Sequence, residues 1–204
     1  MGIYEDQVLP RIVNVVLSGA DFKKIRARVA SRLSGDVLEV GFGSGLNVPH
    51  YPAEVRRVLA VDPASVGQKL AAKRVTASTV PVEYVGLDGE SIPLDAGSVD
   101  HVLVTWTLCT IPAVGAALAE MHRVLRPGGG LHFVEHGRSP DPDVARRQDR
   151  LNGLQRWWAG GCNLNRPIDR LVASAGFQMA SMQNYYLNGP KAMGYTFEGM
   201  ATRR

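Results

Sequence analysis

The sequence contains only two cysteines in 204 residues. Cys109 and Cys162 form neither a disulfide framework nor the paired spacing of a zinc site, so we expect a reducing compartment and no metal. The sequence also has no apolar run long enough to span a membrane, and no apolar leader at its amino terminus. These absences predict a cytoplasmic protein.

Composition and charge exclude further classes. A chain of 204 residues that is 45% hydrophobic can bury a full core as one ordinary domain. The formal net charge is +4, but the basic residues are scattered and few aromatic residues lie among them. Because nucleic-acid binding needs basic residues clustered on one face, we expect no nucleic-acid partner.

A glycine-rich loop follows the first apolar run. Residues 38–47 read LEVGFGSGLN, with Gly41, Gly43 and Gly45 at alternate positions. A dinucleotide-binding loop of the G-x-G-x-x-G type needs a glycine where Leu46 stands, so the loop disfavours NAD. Alternating glycines let the backbone turn sharply and approach a ligand closely. An ordinary turn from strand to helix is the alternative.

Two acidic residues accompany the loop. Glu39 lies in the first apolar run, and Asp62 follows a second run, VLAV at 58–61. Asp62 stands 17 residues after Gly45, near the offset of about 20 residues at which a carboxylate reaches ribose hydroxyls. A helix N-cap is the other interpretation of Asp62.

Apolar runs alternate with helical patterns, which predicts a parallel sheet covered on both faces. The predicted strands are 37–40, 58–61, 82–85, 101–105 and 131–135, with helices over 64–78 and 112–125. Pro49 and Pro52 limit the connection between the first two strands to a turn or two of helix. Residues 126–130 read RPGGG and predict a break before the fifth strand.

The alternation changes after the fifth strand. The pattern predicts helices near 144–158 and over 167–176, a strand over 177–187, a turn at 188–190 and a last strand over 192–200. The last two strands form a hairpin, which makes the sheet mixed. Upstream, apolar residues at 22, 25, 29 and 33 form one helix face after an apolar stretch at 12–17.

Four segments occur in order: LEVGFGSG at 38–45, VDP at 61–63, LDGESIPL at 87–94 and LRPGGGLHFVEH at 125–136. Over roughly residues 35–137 the chain therefore resembles a class I S-adenosylmethionine-dependent methyltransferase. The resemblance implies S-adenosylmethionine as cofactor and a single-domain, Rossmann-like α/β fold. Its mostly parallel seven-stranded sheet ends in an antiparallel hairpin. In this reading residues 1–34 are helices that cover cofactor or substrate, 35–204 are the methyltransferase domain, and 138–170 are a substrate-side insertion.

The resemblance implies cofactor contacts from ten residues: Glu39, Gly41, Gly43, Gly45, Asp62, Pro63, Asp88, Gly89, Thr105 and Trp106. The first four match the loop that carries the methionine part, and Asp62, followed by Pro63, matches the clamp on ribose. Asp88 and Gly89 match the pair at the adenine edge, and the last two match the floor beneath the sulfonium. A turn at 88–89 and a core position for Trp106 are the alternatives.

The C-terminal third narrows the resemblance. Residues 154–179, LQRWWAGGCNLNRPIDRLVASAGFQM, together with Glu135 and His136 resemble the alkyl thiol S-methyltransferases of the mammalian endoplasmic reticulum and their soluble bacterial relatives. This implies a small, apolar thiol as acceptor, and we expect Trp157, Trp158 and Arg166 near it. The tryptophans also suit a helix that touches a membrane surface or packs on the sheet. Arg166 could instead pair with nearby Asp169.

A thiol acceptor needs help to ionise near neutral pH. His136 is placed at the carboxyl end of the fifth strand, where open sheets bind ligands, so it is the candidate base, with Glu135 to orient it. The alternative is a histidine that only binds backbone groups. We expect Cys109 and Cys162 to be packed as small hydrophobic residues.

Other functions stay open at this point. The acceptor could be a quinone, a phenol or a phospholipid amine, and the chain could be a nucleotide-binding module without transfer activity. Peripheral membrane contact is compatible with the sequence. The sequence does not fix the oligomeric state.

Overall fold

The computed structural model describes residues 4–204, and for residues 5, 6 and 65 the backbone alone. Its centre is a seven-stranded sheet with the strand order β3-β2-β1-β4-β5-β7-β6. The strands are β1 (Gly35–Val40), β2 (Val55–Val61), β3 (Val82–Gly86), β4 (Val99–Thr105), β5 (Leu125–His136), β6 (Gln178–Tyr186) and β7 (Tyr195–Thr202). The predicted segment 1–34 begins with three residues that lie outside the described part.

Helices cover both faces of the sheet. They are α1 (Leu9–Val16), α2 (Ala20–Ala30), α3 (Ser65–Thr76), α4 (Val114–Val124), α5 (Pro142–Trp158), α6 (Ile168–Ser174) and α7 (Lys191–Gly194). A π-helical turn, Tyr4–Val8, leads into α1, and a single 3-10 turn, Val48–His50, lies between β1 and β2. In the part of the chain that the structure describes, no helix combines the length and the apolar character needed to cross a bilayer.

The pairing confirms the predicted fold class. Strands β1 to β5 all run parallel to one another. Strand β7 is antiparallel to both β5 and β6. The central strand β1 is buried from Asp36 to Val40, as expected of a strand with helices on both sides. The sheet is therefore mostly parallel with an antiparallel hairpin at its carboxyl end.

Two apolar clusters, one built around α4 and α6 and the other around α2, hold the layers together. On α4 the buried residues are Ala117, Leu118, Met121 and Val124, a spacing that places them along one helix face. They pack with alternate residues of β1, such as Leu38 and Val40. The other cluster joins Ile25 and Val29 of α2 to Val37 of β1, because successive side chains of a strand point to opposite faces.

Three predicted strands begin at the wrong residue by three positions or more. Strand β2 begins at Val55 rather than at 58. The last strand begins at Tyr195 rather than at 192, because Lys191–Gly194 form a helical turn after Pro190. The fifth strand begins earlier than predicted: Leu125 already pairs with Val99, and pairing resumes at Gly130 with His101. Residues 126–129 are therefore an irregularity within β5 instead of a break before it.

The strand order fixes where a ligand can bind. From β1 the chain adds β2 and β3 on one side, and then crosses back to add β4 and β5 on the other. The connections that leave β1 and β4 diverge, which opens a crevice at the carboxyl ends of these two neighbouring strands. The glycine loop follows β1 and therefore lies at this crevice.

Candidate active site

A cavity of about 740 Å³ lies at the carboxyl ends of β1, β2 and β4. Among the ten predicted cofactor residues, eight line it: Gly41, Gly43, Asp62, Pro63, Asp88, Gly89, Thr105 and Trp106. The remaining two, Glu39 and Gly45, lie outside the lining. The structure thus brings together residues from four separate segments of the chain, although their contacts with a cofactor stay predictions.

The glycine loop presents backbone atoms, without side chains, to the cavity at Gly41 and Gly43. Gly41 has a φ of 77° and Gly43 a φ of 55°, values that side-chain-bearing residues rarely adopt. A Cβ atom on Gly41 would collide with the Thr107 side chain. A Cβ on Gly43 would have only the Gly41 carbonyl oxygen nearby, at 3.9 Å. Space for a ligand therefore adjoins Gly43, whereas Gly45 packs beside Ala71 and belongs to the turn.

Asp62 is tied to this loop. Its Oδ2 accepts a 2.7 Å hydrogen bond from the Gly43 N–H, and its Oδ1 accepts a 2.8 Å bond from the Ala64 N–H. Burial raises the pKa of Asp62, and these two backbone hydrogen bonds oppose the shift. A carboxylate has about four lone-pair positions. Asp62 can therefore hold the loop and still accept hydroxyl donors from a ribose.

Glu39 lies beneath the loop and anchors it. Its side chain is 1% exposed, with Oε1 accepting a 2.9 Å bond from Asn47 Nδ2 and Oε2 accepting a bond from the Tyr51 hydroxyl. Burial raises the pKa of Glu39 to about 7, although both hydrogen bonds oppose the rise. The structure thus gives Glu39 a supporting position, and Asn47 is the residue that reaches the cavity.

Arg26 is a cavity residue that the sequence analysis missed. Its Nη1 donates to Asn47 Oδ1 at 2.8 Å and to Thr105 Oγ1 at 2.9 Å, and its guanidinium lies 4.8 Å from the centre of the Trp106 ring. Burial lowers the pKa of Arg26 to about 10, so the group stays charged at neutral pH. One signal was available, because Arg26 stands four residues after Phe22 and shares its apolar helix face.

Trp106 has an unusual backbone conformation. Its φ is 50°, in a region that a bulky residue occupies only under strain. The Trp106 N–H donates to the Val134 carbonyl at 2.8 Å, and the ring meets Phe22 edge to face at 5.1 Å. These contacts hold the ring in the cavity wall, where it also packs against the apolar cluster around α2. Its place beneath the sulfonium stays a prediction.

Asp88 and Gly89 form a turn at the cavity edge. Asp88 is exposed, and its Oδ1 accepts a 2.7 Å bond from the Glu90 N–H. The turn is therefore present, and Asp88, Gly89 and Glu90 all line the cavity, but the contact of Asp88 and Gly89 with the adenine edge stays a prediction.

The rest of the wall is largely apolar. Helix α1 and the residue after it contribute Leu9, Val13 and Leu17. The segment that follows β4 contributes Ile111 and Pro112, and the segment after α5 contributes Ala159 and Gly160. The predicted N-terminal cover and the predicted substrate-side insertion thus both supply lining residues, of a kind that suits an apolar ligand.

His136 and Glu135 are outside the lining, which removes the geometric support for their predicted catalytic roles. The two side chains follow each other on β5 and point to opposite faces. Glu135 Oε1 accepts the Thr107 N–H and, at 2.8 Å, the Leu108 N–H, instead of a bond from His136. Burial raises the pKa of Glu135 to about 7, and these N–H groups oppose the shift.

His136 contacts a cysteine instead. Its Nε2 lies 3.1 Å from Cys162 Sγ, while its buried Nδ1 has no partner. Burial tends to lower the pKa of His136, but Cys162 and Glu135 raise it overall. Hydrogen bonds from Cys109 and His136 lower the pKa of the Cys162 thiol. The expectation that both cysteines are buried is met, but their surroundings are polar.

The three predicted substrate residues are also outside the lining. Trp157 is 79% exposed and Trp158 40% exposed, so neither ring packs on the sheet as a core residue. Arg166 donates to the Leu108 carbonyl rather than to Asp169. Membrane contact through the tryptophans stays a prediction.

Comparisons with known proteins agree with this geometry. A family model described as a methyltransferase domain matches residues 38–133. The chain is 35% identical to the human thiol S-methyltransferase TMT1B over 79% of this chain and 68% of that protein. It is 33% identical to human TMT1A over 72% of this chain, which spans only 62% of TMT1A.

Two further comparisons broaden the relationship. A demethylmenaquinone methyltransferase of Clavibacter sepedonicus is 30% identical over 60% of this chain and 50% of its own length. A solved structure from Thermotoga maritima, described as a possible histamine N-methyltransferase, superposes with a TM-score of 0.71 at 21% identity, covering 99% of both chains. That likeness supports the fold alone.

The chain belongs to the class I S-adenosylmethionine-dependent methyltransferases, and its cofactor is S-adenosylmethionine. Within that class it is a relative of the thiol S-methyltransferases TMT1A and TMT1B. The backbone cradle at Gly43 and the carboxylate of Asp62 fit this cofactor, because they offer close approach to the amino-acid part and acceptors for the ribose hydroxyls.

We expect Asp62→Asn to weaken the binding of S-adenosylhomocysteine about tenfold or more, because a neutral amide replaces a charged acceptor worth roughly 1.5–3 kcal/mol per hydrogen bond. The measurement is isothermal titration calorimetry. Asp95→Asn is the matched control, since Asp95 is exposed and outside the lining. Equal affinity in both variants would show that Asp62 does not bind the cofactor.

Proposed function

We propose that this chain transfers the methyl group of S-adenosylmethionine to the thiol of a small, apolar molecule. The observation that carries the proposal is the 35% identity to a thiol S-methyltransferase over 79% of the chain. The apolar lining beside the cofactor residues supports it, because it offers contact surface for an alkyl group.

The reaction is an in-line displacement. A lone pair of the thiolate sulfur attacks the methyl carbon, the bond between that carbon and the sulfonium sulfur breaks, and S-adenosylhomocysteine leaves with the electron pair. The thiol proton goes to solvent. Such a reaction needs mainly positioning and exclusion of water. We assign both tasks to the glycine loop, Asp62 and the Trp106 ring, because they line the cavity.

Ionisation of the thiol has no evident protein base. Among the described residues that line the cavity there is no histidine, cysteine or lysine. Arg26 is the one basic residue in that lining, and its charge favours an anion nearby by electrostatic attraction. We therefore propose that the acceptor enters or ionises as thiolate in the field of Arg26, without proton transfer to His136.

A quinone acceptor is the second candidate, because a demethylmenaquinone methyltransferase is 30% identical over 60% of the chain. The cavity is apolar enough for either ligand.

An acceptor panel distinguishes the two. The protein is incubated with radiolabelled S-adenosylmethionine and, in turn, a short alkyl thiol, the matching alcohol, demethylmenaquinol, a catechol and phosphatidylethanolamine. We expect label in the alkyl thiol and none in the alcohol, because an alcohol hydroxyl does not ionise near neutral pH and is a weak nucleophile. Methylation of demethylmenaquinol alone would replace the thiol proposal by the quinone one.

The acceptor is proposed to react as a thiolate near Arg26 without a protein base, so the rate of methyl transfer should follow the ionisation of the thiol as the pH changes. We expect kcat/KM to rise about tenfold per pH unit up to the pKa of the free acceptor, about 8.5 for an unperturbed thiol, and to level off above it, because kcat/KM reports the ionisation of the free reactants. With a second thiol of lower pKa, the break should move down by the same amount. A break that stays at one pH for both thiols would identify a protein base and contradict ionisation of the thiol in solution.

Helix α1 offers a test of the acceptor part of the cavity. We expect Val13→Asp to raise the KM for the thiol about tenfold or more, because the carboxylate would stand in an apolar wall, with little change in S-adenosylhomocysteine affinity. Val15→Asp is the control: Val15 is on the same helix, is 70% exposed and lies outside the lining. Equal effects of both variants would argue against a cavity role of α1.

A further inference from the structure

Cys109, His136 and Cys162 form a cluster of ligating atoms outside the methyl-transfer cavity. The Cys109 Sγ, the Cys162 Sγ and one ring nitrogen of His136 all lie within 4.8 Å of one another. Cys109 and Cys162 are 2% and 8% exposed. Cys109 follows β4, His136 ends β5 and Cys162 follows α5, so the fold assembles three residues that are far apart in the sequence.

The geometry is close to that of a zinc site. Typical bond lengths are about 2.3 Å for zinc to sulfur and about 2.0–2.1 Å for zinc to nitrogen. In a tetrahedral site these lengths place ligand atoms roughly 3.4–3.8 Å apart. His136 Nε2 and Cys162 Sγ are 3.1 Å apart, and no two of the three ligating atoms are more than 4.8 Å apart. Side-chain movements of about 1 Å would bring all three distances to the values of a tetrahedral zinc site.

The supporting hydrogen bonds hold the cluster in place. The Cys109 carbonyl accepts bonds from the Asn163 N–H at 2.9 Å and from Asn163 Nδ2 at 3.0 Å. Arg166 donates to the carbonyl of Leu108. Glu135 accepts the Leu108 N–H at 2.8 Å. Residues next to each of the other two ligands thus fix the backbone of the loop that carries Cys109, as partners around a metal site do.

The charges also suit a divalent cation. Two thiolates and one neutral imidazole around a doubly charged cation sum to zero, so the complete site could be buried at little electrostatic cost. Arg166 and Glu135 bring one charge of each sign to the surroundings. Glu135 Oε2 and His136 Nδ1 are both buried with no hydrogen-bond partner among the described residues, so each can take a water molecule as its partner.

We propose that Cys109, Cys162 and His136 bind one Zn²⁺ ion through the two Sγ atoms and Nε2. With three protein ligands, the fourth position of the tetrahedron holds water or another small ligand. The site lies directly behind the cavity wall, because Thr110 follows Cys109 in the chain and lines the cavity together with Gly160. The proposal is independent of the acceptor, since metal binding is measured without turnover.

Cobalt(II) is the probe for this site. The full chain is reduced, freed of metal with a chelator and titrated anaerobically with Co²⁺. We expect one equivalent to bind, with a thiolate-to-cobalt charge-transfer band and the intense visible bands of tetrahedral cobalt. One equivalent of Zn²⁺ should then remove these bands. Reduced wild-type protein that takes up less than about a tenth of an equivalent would overturn the proposal.

Variants assign the ligands. Cys109→Ser and Cys162→Ser should each lose the charge-transfer intensity of one thiolate and stoichiometric uptake, and His136→Gln should lose uptake while both thiols remain. His122→Gln is the control, because His122 is partly exposed on α4 and outside the cluster. Circular dichroism and S-adenosylhomocysteine affinity check that each variant folds. Unchanged cobalt spectra in the double cysteine variant would also overturn the proposal.

A disulfide is the competing outcome. If the isolated protein contains a Cys109–Cys162 disulfide, and the reduced protein binds no cobalt, the two cysteines are a redox pair and not metal ligands. Counting free thiols before and after reduction separates the two results. If the variants fail to fold, the titration of the reduced wild-type protein still decides between them.

Discussion

The side-chain amide of Asn47 lies between a buried cation and a buried carboxylate, and the position of the cofactor loop depends on it. The amide oxygen accepts from Arg26 at 2.8 Å, and the amide nitrogen donates to Glu39 at 2.9 Å. The amide can satisfy both charged groups in one orientation only. Because the three residues come from α2, the glycine loop and β1, this chain of hydrogen bonds joins the N-terminal layer to the centre of the sheet. Removing any one member would take a hydrogen bond from a buried group, which costs roughly 1–3 kcal/mol, although Glu39 would keep Tyr51 and Arg26 would keep Thr105.

The cavity combines this cation with acidic groups. Asp62, Asp88 and Glu90 line it together with Arg26, so the formal charge of its wall is negative when the carboxylates are ionised. S-adenosylmethionine carries a positive sulfonium that S-adenosylhomocysteine lacks. A negative wall therefore attracts the reactant more strongly than the product. The electrostatics favour exchange of the spent cofactor for a fresh one after each transfer.

The sequence was sufficient for the central strands and for eight residues that line the cavity, because both depend on local patterns. Apolar runs such as 37–40 can only be buried strands, and the glycines mark a turn that side chains would block. The start of β7 was missed because Lys191–Gly194 carry apolar residues that also fit a strand. Arg26 was missed because a charged residue on a helix is usually exposed.

The residues assigned only by the resemblance to thiol S-methyltransferases lie outside the cavity lining. The likeness around 154–179 indicated which proteins this chain is related to, but it did not indicate where each side chain points. Trp157 faces solvent, and His136 lies against Cys162. The meeting of Cys109 with Cys162, across 53 positions of sequence (162 minus 109), depends on how the segment after α5 returns to β4. No local pattern predicts such a return.

Helix α1 has a further consequence for the molecule in operation. It supplies part of the cavity wall, yet none of its residues is buried. A helix with so little buried surface is displaced at low free-energy cost, unlike the strands on which the glycine loop is built. The strands that carry the glycine loop are thus the rigid part of the wall, while the side formed by α1 opens at the lowest free-energy cost. Entry of substrates and departure of products can then proceed without disturbing the geometry of the reacting atoms.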